Sequence, residues 1–261
     1  MYSIQGVPLD NTAFGWRLMQ PTKPIGELTV DRTDVRTAGR DGVAAGIPAD
    51  TGSPVLPFVV KSPRENVEAL IALFSVVGAE VSLTADASKT AGIELASFTY
   101  DAYGPAEEIV VVKFLVRFPS VWWRGGYEVT GPTNVSASFV LALFAGLSAP
   151  VQDLLIRVDG STSGLRLTDS DGSWLSLTTS AAGEHVLIAP AQAKAVLASA
   201  GSWSLSGTDV SDRIDFGGPR SVFEVTPTFT DPKTRSGQVT VNATSWSSAT
   251  VTVRGKGAHV A

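Results

Sequence analysis

The run EEIVVVKFLVRF, residues 107–118, limits the fold more than any other stretch of this chain. Alternate positions Val110, Val112, Phe114, Val116 and Phe118 are all apolar, while the intervening ones read Ile109, Val111, Lys113, Leu115 and Arg117. Because successive strand residues point to opposite faces, this is a strand buried wholly on one side and partly on the other. Such a strand lies inside a sheet and needs a partner along each edge. Short segments rich in β-branched or aromatic residues and bounded by Gly, Pro, Asp or Ser can supply them: residues 25–30, 55–61, 80–84 and 93–100 are predicted strands.

A single helix is predicted in this half, near residues 63–77. Ser62 offers an N-cap, Pro63 suits the first helical position, and Glu65 completes an S-x-x-E capping box. Val67, Leu70, Ile71 and Phe74 follow at i, i+3, i+4 and i+7 on one face, and Gly78 can end the helix in the left-handed region. An amphipathic helix of this kind packs on a sheet. Between Thr37 and Pro54 the chain reads TAGRDGVAAGIPADTGSP, a long loop or protruding hairpin with no aromatic residue. It has little with which to hold a small substrate and suits contact with another protein.

After residue 130 turn signals recur every eight to twelve residues, from Asp159-Gly160 through Asp171-Gly172 to Ser236-Gly237, and Ser and Thr become more frequent. Repeated short strands at that spacing predict a β-sandwich. Strands are expected over residues 154–158, 174–177, 185–188, 222–226, 238–243 and 250–253, with about one helical turn in APAQAKAVLASAG. The change of texture divides the chain into an N-terminal domain, 1–127, and a C-terminal domain, 128–261. The junction carries VWWRGGYEVT. One of Trp122 and Trp123 is expected to cap the N-terminal core and the other to face away, with Gly125 and Gly126 turning the chain.

Composition narrows the function. There is no cysteine, which removes disulfides, thiolate nucleophiles and cysteine-based metal sites. A net charge of −5 gives no broad attraction for nucleic-acid phosphates. No basic, apolar leader opens the sequence and no apolar run is long enough for a membrane helix, so a soluble chain is expected.

A search for catalytic chemistry yields little. His185 falls on a predicted strand and His259 in a predicted C-terminal tail, neither with a partner close in sequence. TDSDGSW places Asp169, Asp171 and Gly172 like the start of a calcium loop, but residues 173–181 contain no acid, and a hairpin turn is expected. Glu107 and Glu108 are adjacent at a strand start and point to opposite faces. Phosphate-loop, nucleophile-elbow and H-E-x-x-H motifs do not occur. No enzyme activity, catalytic residue, cofactor or metal is therefore expected.

The order of these features resembles a known family. A β-rich first domain with the helix SPRENVEALIALFS is followed by a long strand ending in tryptophans, VVVKFLVRFPSVWWRGG. The loop segment GRDGVAAG precedes the helix, and a second sandwich opens with DLLIRVDGSTSGLRLTDSDGSWLSL. This is similar to the distal tail proteins (Dit) of long-tailed, non-contractile bacteriophages, siphophages.

The resemblance implies a mainly β protein of two domains: an N-terminal β-sandwich or split-barrel-like domain with one α-helix, and a C-terminal galectin-like β-sandwich. It also implies a structural virion component at the distal end of the phage tail, assembled in the host cytoplasm. Six copies would form a homo-oligomeric ring joining the tail tube protein to the tail-tip hub or baseplate proteins used in host attachment. The N-terminal domains would make the ring contacts, with the Thr37–Pro54 loop reaching a neighbour. Receptor-binding proteins or a host glycan are further partners to consider, whereas a specific nucleic-acid site and a membrane span are not expected.

The alternative is a carbohydrate-binding module or adhesin acting through the C-terminal sandwich, for which Trp174, Trp203 and Trp246 are available. Each of these is expected to be a core or edge residue instead. A third possibility, a hydrolase with dispersed acidic residues, would require carboxylates gathered in a cleft.

Overall fold

The structure is a computed structural model that describes residues 2–19, 30–31, 34–35, 44–45, 50–51, 55–83, 86–101, 108–119, 123–220, 222–229 and 233–259. The chain is mainly β and forms two compact units, one running to Arg124 and the other spanning Gly125–His259.

In the first unit the alternating run forms strand Ile109–Arg117, flanked by Val55–Pro63 on one edge and by the second half of Asp86–Asp101 on the other. Val110, Val112, Phe114 and Val116 are buried, as the alternation requires, and Ile109 and Leu115 lie exposed on the opposite face. A second sheet joins Tyr2–Ile4, Ala79–Leu83 and the first half of Asp86–Asp101. One long strand thus serves both sheets, changing partner between Ile93 and Glu94, and a register shift between Leu95 and Ser97 follows within its pairing to Ile109–Arg117. Val30–Asp31 pairs with Asp50–Thr51 and Asp34–Val35 with Ala44–Ala45. Most of the Thr37–Pro54 loop and of the strand expected over 25–30 lies outside the described residues.

The helix differs from its expected form. Residues 64–66 make one 3-10 turn and the α-helix spans Val67–Phe74. The capping box does not form, because Ser62 and Pro63 belong to strand Val55–Pro63, paired with Val110 and Ile109. The Ser62 hydroxyl is buried and donates to the Pro63 carbonyl, while Asn66 donates to Phe14 O. Sheet pairing has claimed the residues that a free helix would use as its cap. The predicted face survives: Leu70 and Phe74 are buried, and Val67 and Ile71 pack against the same core. Gly78 is left-handed at φ +73°, beyond the helix end at Phe74, in a turn closed by Ala79 N–H to Val76 O.

Phe74 stacks on Phe114 at 3.9 Å and meets Phe58 edge-on at 5.7 Å, and Tyr2 meets Phe58 at 5.1 Å. The helix is held by rings inserted into the sheet, each buried ring contributing about 1.5–3 kcal/mol from removal of apolar surface.

In the second unit, strand Leu155–Asp169 is the central element. Its first half lies between Ser245–His259 and His185–Ala189. Its second half lies between Trp174–Ser180 and Arg235–Asn242. Gly160, at φ +92°, sits at the change of register, where a Cβ would come within 2.6 Å of the Ser248 carbonyl oxygen. The pairings form one continuous antiparallel sheet, with Ile156, Val158, Leu165, Leu167, Leu175, Val186, Ile188, Val239 and Val251 buried. The predicted Asp169–Trp174 hairpin is present, with Gly172 at φ +90°.

Two expectations for this half are corrected and one is refined. Residues 222–226 form no strand; Phe223 to Thr226 are all buried, and only Val225 bridges, to Val151. The helical turn expected in APAQAKAVLASAG is present as a single 3-10 turn, Pro190–Gln192, and the continuation forms strand Lys194–Leu197. His259 is the last residue of the fifteen-residue strand Ser245–His259 and not part of a tail.

The junction is corrected too. Gly125 and Gly126 do not turn the chain but lie within strand Trp123–Asn134, neither at a positive φ. The residue boundary expected at 127/128 falls inside that strand. Trp123 is buried against Phe118, 6.2 Å away, and Trp122 lies outside the described residues. No helix among the described residues is long and apolar enough to cross a membrane.

Candidate functional site

The second unit presents its most concentrated side-chain chemistry on the outer face of one sheet. With Ile156 and Val158 turned inward, Arg157 and Asp159 must project outward from the same strand. Register places His185 opposite Asp159 and Thr252 opposite Arg157, and Arg254 and Lys256 follow Thr252 at two-residue steps. These residues therefore share a face although they come from three separate parts of the chain.

Asp159 organises the centre. One carboxylate oxygen accepts from Arg157 Nε at 3.0 Å and the other from His185 Nδ1 at 2.7 Å. Trp203, from the segment after Lys194–Leu197, lies over the arginines: Arg157 is 4.9 Å from its ring centre and Arg254 5.7 Å. Arg254 also stacks on Tyr127 at 4.5 Å, and the Lys256 ammonium lies 4.9 Å from the same ring. Contacts of this kind contribute about 0.5–2 kcal/mol each, depending on desolvation. Among the described residues neither Arg254 nor Lys256 has a carboxylate partner. A cationic, aromatic-lined face remains, with one acid set among three fixed positive charges.

A second polar cluster surrounds the Asp169–Trp174 hairpin. Asp169 is buried, and its carboxylate accepts from the Thr226 amide at 3.1 Å and from the Thr226 hydroxyl. Burial raises its pKa above the usual carboxylate value, against the opposing pull of those hydrogen bonds. Arg220 pairs with Asp171 at 3.0 Å and with Glu224, whose other oxygen accepts from Gln152 at 2.8 Å. The cluster ties the hairpin to the buried 223–226 segment, and its acids are occupied internally. The calcium-loop likeness of TDSDGSW therefore has a structural explanation.

The residues singled out from sequence are dispersed. Trp174 is half-buried, stacked under Arg166 at 4.3 Å and packed over Gly217. Trp246 is 42% exposed and pairs across the sheet with Thr162. Neither lies near Trp203: Trp246 and Trp174 face Thr162 and Thr168, well along the same strand from Arg157. Of the core-or-edge expectation only the core alternative drops out: none of the three tryptophans is among the buried core residues.

His185 gains Asp159 as a partner, while among the described residues no hydroxyl bonds its other ring nitrogen, so no nucleophilic triad is assembled. Glu108 is exposed before its strand, and Glu107 lies outside the described residues. No group of three or more His, Cys, Asp or Glu side chains among the described residues is placed to hold a metal. Arg157, Arg254, Lys256 and Tyr127 were missed from sequence. The alternation along 155–159 and 251–256 does contain the signal, charged residues interleaved with buried Ile and Val.

No protein-family model matches the sequence and no curated protein matches it. Among solved structures, the fold is similar to that of the Dit protein (gp 19.1) of phage SPP1, described as a paradigm of the hub adsorption apparatus in phages infecting Gram-positive bacteria. The TM-score is 0.60 at 15% identity, over 98% of this chain and 99% of that one. Two structures of the phage P2 baseplate in its activated conformation, with Ca and with Sr, align over 93% and 94% of this chain and 91% of theirs. Their identity is 12% and their TM-scores are 0.39 and 0.37.

Proposed function

We propose that this chain is a distal tail protein, a structural subunit of a ring at the far end of a siphophage tail. The observation that carries the proposal is the end-to-end likeness of its fold to SPP1 Dit, covering 98% of one chain and 99% of the other. Six copies close the ring by heterologous contacts, since a rotation axis brings two different surfaces of each subunit together. The N-terminal domain makes those contacts, with the Thr37–Pro54 loop as the segment that reaches a neighbour. The ring joins the tail tube to the hub and baseplate proteins used in attachment, and the protein acts without catalysis.

Native mass measurement with negative-stain imaging tests this. Six-fold rings, alone or with tail partners, are expected; a strict monomer at high concentration with no ring in the presence of tube or hub protein would overturn it. The carbohydrate-binding alternative retains one supporting observation, the outward Trp203 set among arginines on the C-terminal sandwich. In that reading the sandwich adds glycan contact to the ring's structural role.

A further inference from the structure

We propose that the outer face bearing Arg157, Trp203, Arg254, Tyr127 and Lys256 binds an acidic saccharide, a sugar or polyol polymer whose repeat carries phosphate or carboxylate. This rests on the carbohydrate-binding reading of the C-terminal sandwich and specifies the ligand's charge and the residues that meet it.

Charge is the first argument. The chain as a whole carries −5, yet this face gathers three fixed cations around a single carboxylate. Both oxygens of Asp159 are already engaged, by Arg157 and His185. Arg254 and Lys256 are therefore uncompensated among the described residues, and an incoming oxyanion would be the missing partner. A guanidinium stacked on a ring keeps its N–H edge free, the geometry that grips phosphate or carboxylate with two parallel hydrogen bonds.

Pre-organisation is the second. A free arginine loses about 2 kcal/mol of rotamer freedom when fixed. Here stacking on Trp203 and Tyr127, and the Asp159 bond to Arg157, have already fixed the side chains, so a ligand meets donors set in place. The floor has unused hydrogen-bonding capacity as well. The Thr252 hydroxyl, opposite Arg157 and two residues from Arg254, is buried with no partner among the described residues.

The rings argue for a saccharide over a bare anion. Tyr127 is 65% exposed even with Arg254 and Lys256 beside it, leaving apolar ring surface for the C–H face of a sugar or polyol. Nucleic acid fits less well. Three cations on a net-acidic chain would release few counterions, and duplex affinity is built on many such contacts.

Calorimetric titration of the full-length chain tests the proposal with five probes: a poly(glycerol phosphate) oligomer, an oligogalacturonate, a neutral glucan oligosaccharide, inorganic phosphate and single-stranded oligothymidylate. At least one acidic oligomer is expected to bind and to weaken as salt is raised. The phosphate and carboxylate arms decide which oxyanion is preferred. Arg254→Ala and Lys256→Ala should each weaken binding by about tenfold or more, a loss of about 1.4 kcal/mol, while Trp246→Ala on another part of the sandwich leaves it unchanged. Lys256→Ala carries the test if Arg254→Ala fails to fold.

Equal binding of neutral and acidic oligomers overturns the charge assignment but leaves carbohydrate binding standing, whereas binding of no oligosaccharide removes both. Oligothymidylate binding as tightly as the acidic oligomer, inorganic phosphate matching the oligomer, or unchanged binding in both cationic variants would each overturn the proposal.

Discussion

The two units use aromatic rings in opposite ways. Among the described residues every ring–ring contact falls in the first unit, from Tyr2–Phe58 to Phe118–Trp123. Every cation–π contact falls in the second, on Tyr127, Trp174, Trp203 and Phe229. In the first unit rings are the packing material that seats one short helix on a sheet. In the second, aliphatic strands supply most of the packing around Phe144 and Phe223, while Tyr127, Trp174, Trp203 and Phe229 lie against arginines. An inward ring stabilises its own fold; an outward ring under a cation leaves chemistry available to a partner. The contrast fits a chain in which one unit builds and the other makes contact.

Substitution of one ring from each set gives the widest separation. Phe114→Ala removes a fully buried ring stacked on Phe74 and should cost about 3–5 kcal/mol of unfolding free energy in denaturant titration. Trp203→Ala removes a half-buried ring and its cation–π contacts and should cost about 2 kcal/mol or less while abolishing any ligand effect at that face. Equal costs would make Trp203 a core residue and end the distinction. Trp123→Ala belongs with the first set. It should destabilise by about 2–4 kcal/mol in the same denaturant titration, and a stability equal to that of the native chain would remove Trp123 from the N-terminal core.

A smaller effect separates two register shifts within long strands. In the second unit the shift falls at Gly160, with positive φ and no room for a Cβ. Gly160→Ala should therefore cost about 1–3 kcal/mol from backbone strain and the clash with Ser248 O. In the first unit the register shifts between Leu95 and Ser97 without a glycine, and Ala96 is exposed. Ala96→Gly should change the midpoint of unfolding little, by about 1 kcal/mol at most. Similar losses in both variants would mean that Gly160 is as replaceable as Ala96.

This contrast also explains what could be read in advance. The Ile109–Arg117 strand was legible because alternation is a local property, and its buried face fell where the period placed it. The helix face was legible for the same reason, but its cap was not: Ser62 and Pro63 serve the ladder to Val110 and Ile109, a partner far away in sequence. The glycines of the junction were misread because Gly-Gly is compatible with a turn and with a strand alike, and pairing beyond them decides. The cationic face was not assembled at all. Arg157, Trp203 and Arg254 belong to different segments, and Trp203 follows no strand period that would aim it. Their meeting depends on the register that sets Asp159 opposite His185 and Arg157 opposite Thr252.

The mildest effect uses pH, where one physical cause acts at opposite ends of the scale in the two units. Burial pushes the Tyr2 hydroxyl up to about 12, so its contribution to stability is complete below the usual tyrosine value and is lost only in strong alkali. Burial likewise raises Asp169 above the usual carboxylate value, in spite of the hydrogen bonds from Thr226. A raised carboxyl holds its proton more tightly in the folded chain than in the unfolded one. Its stabilising contribution is thus present below the unfolded value and declines as pH rises through the folded one. Desolvation of the ionised form is a cost that the hairpin carries in exchange for the tie of Asp169 to Thr226. Asp169→Asn lacks that titration, so the stability of the native chain relative to the variant should fall as pH is raised from the acid range toward neutrality in parallel denaturant titrations. Tyr2→Phe should show no such drift there and diverge from the native chain only in alkali. A difference for Asp169→Asn that grew with pH would mean that hydrogen bonding to Thr226, and not desolvation, governs the buried acid.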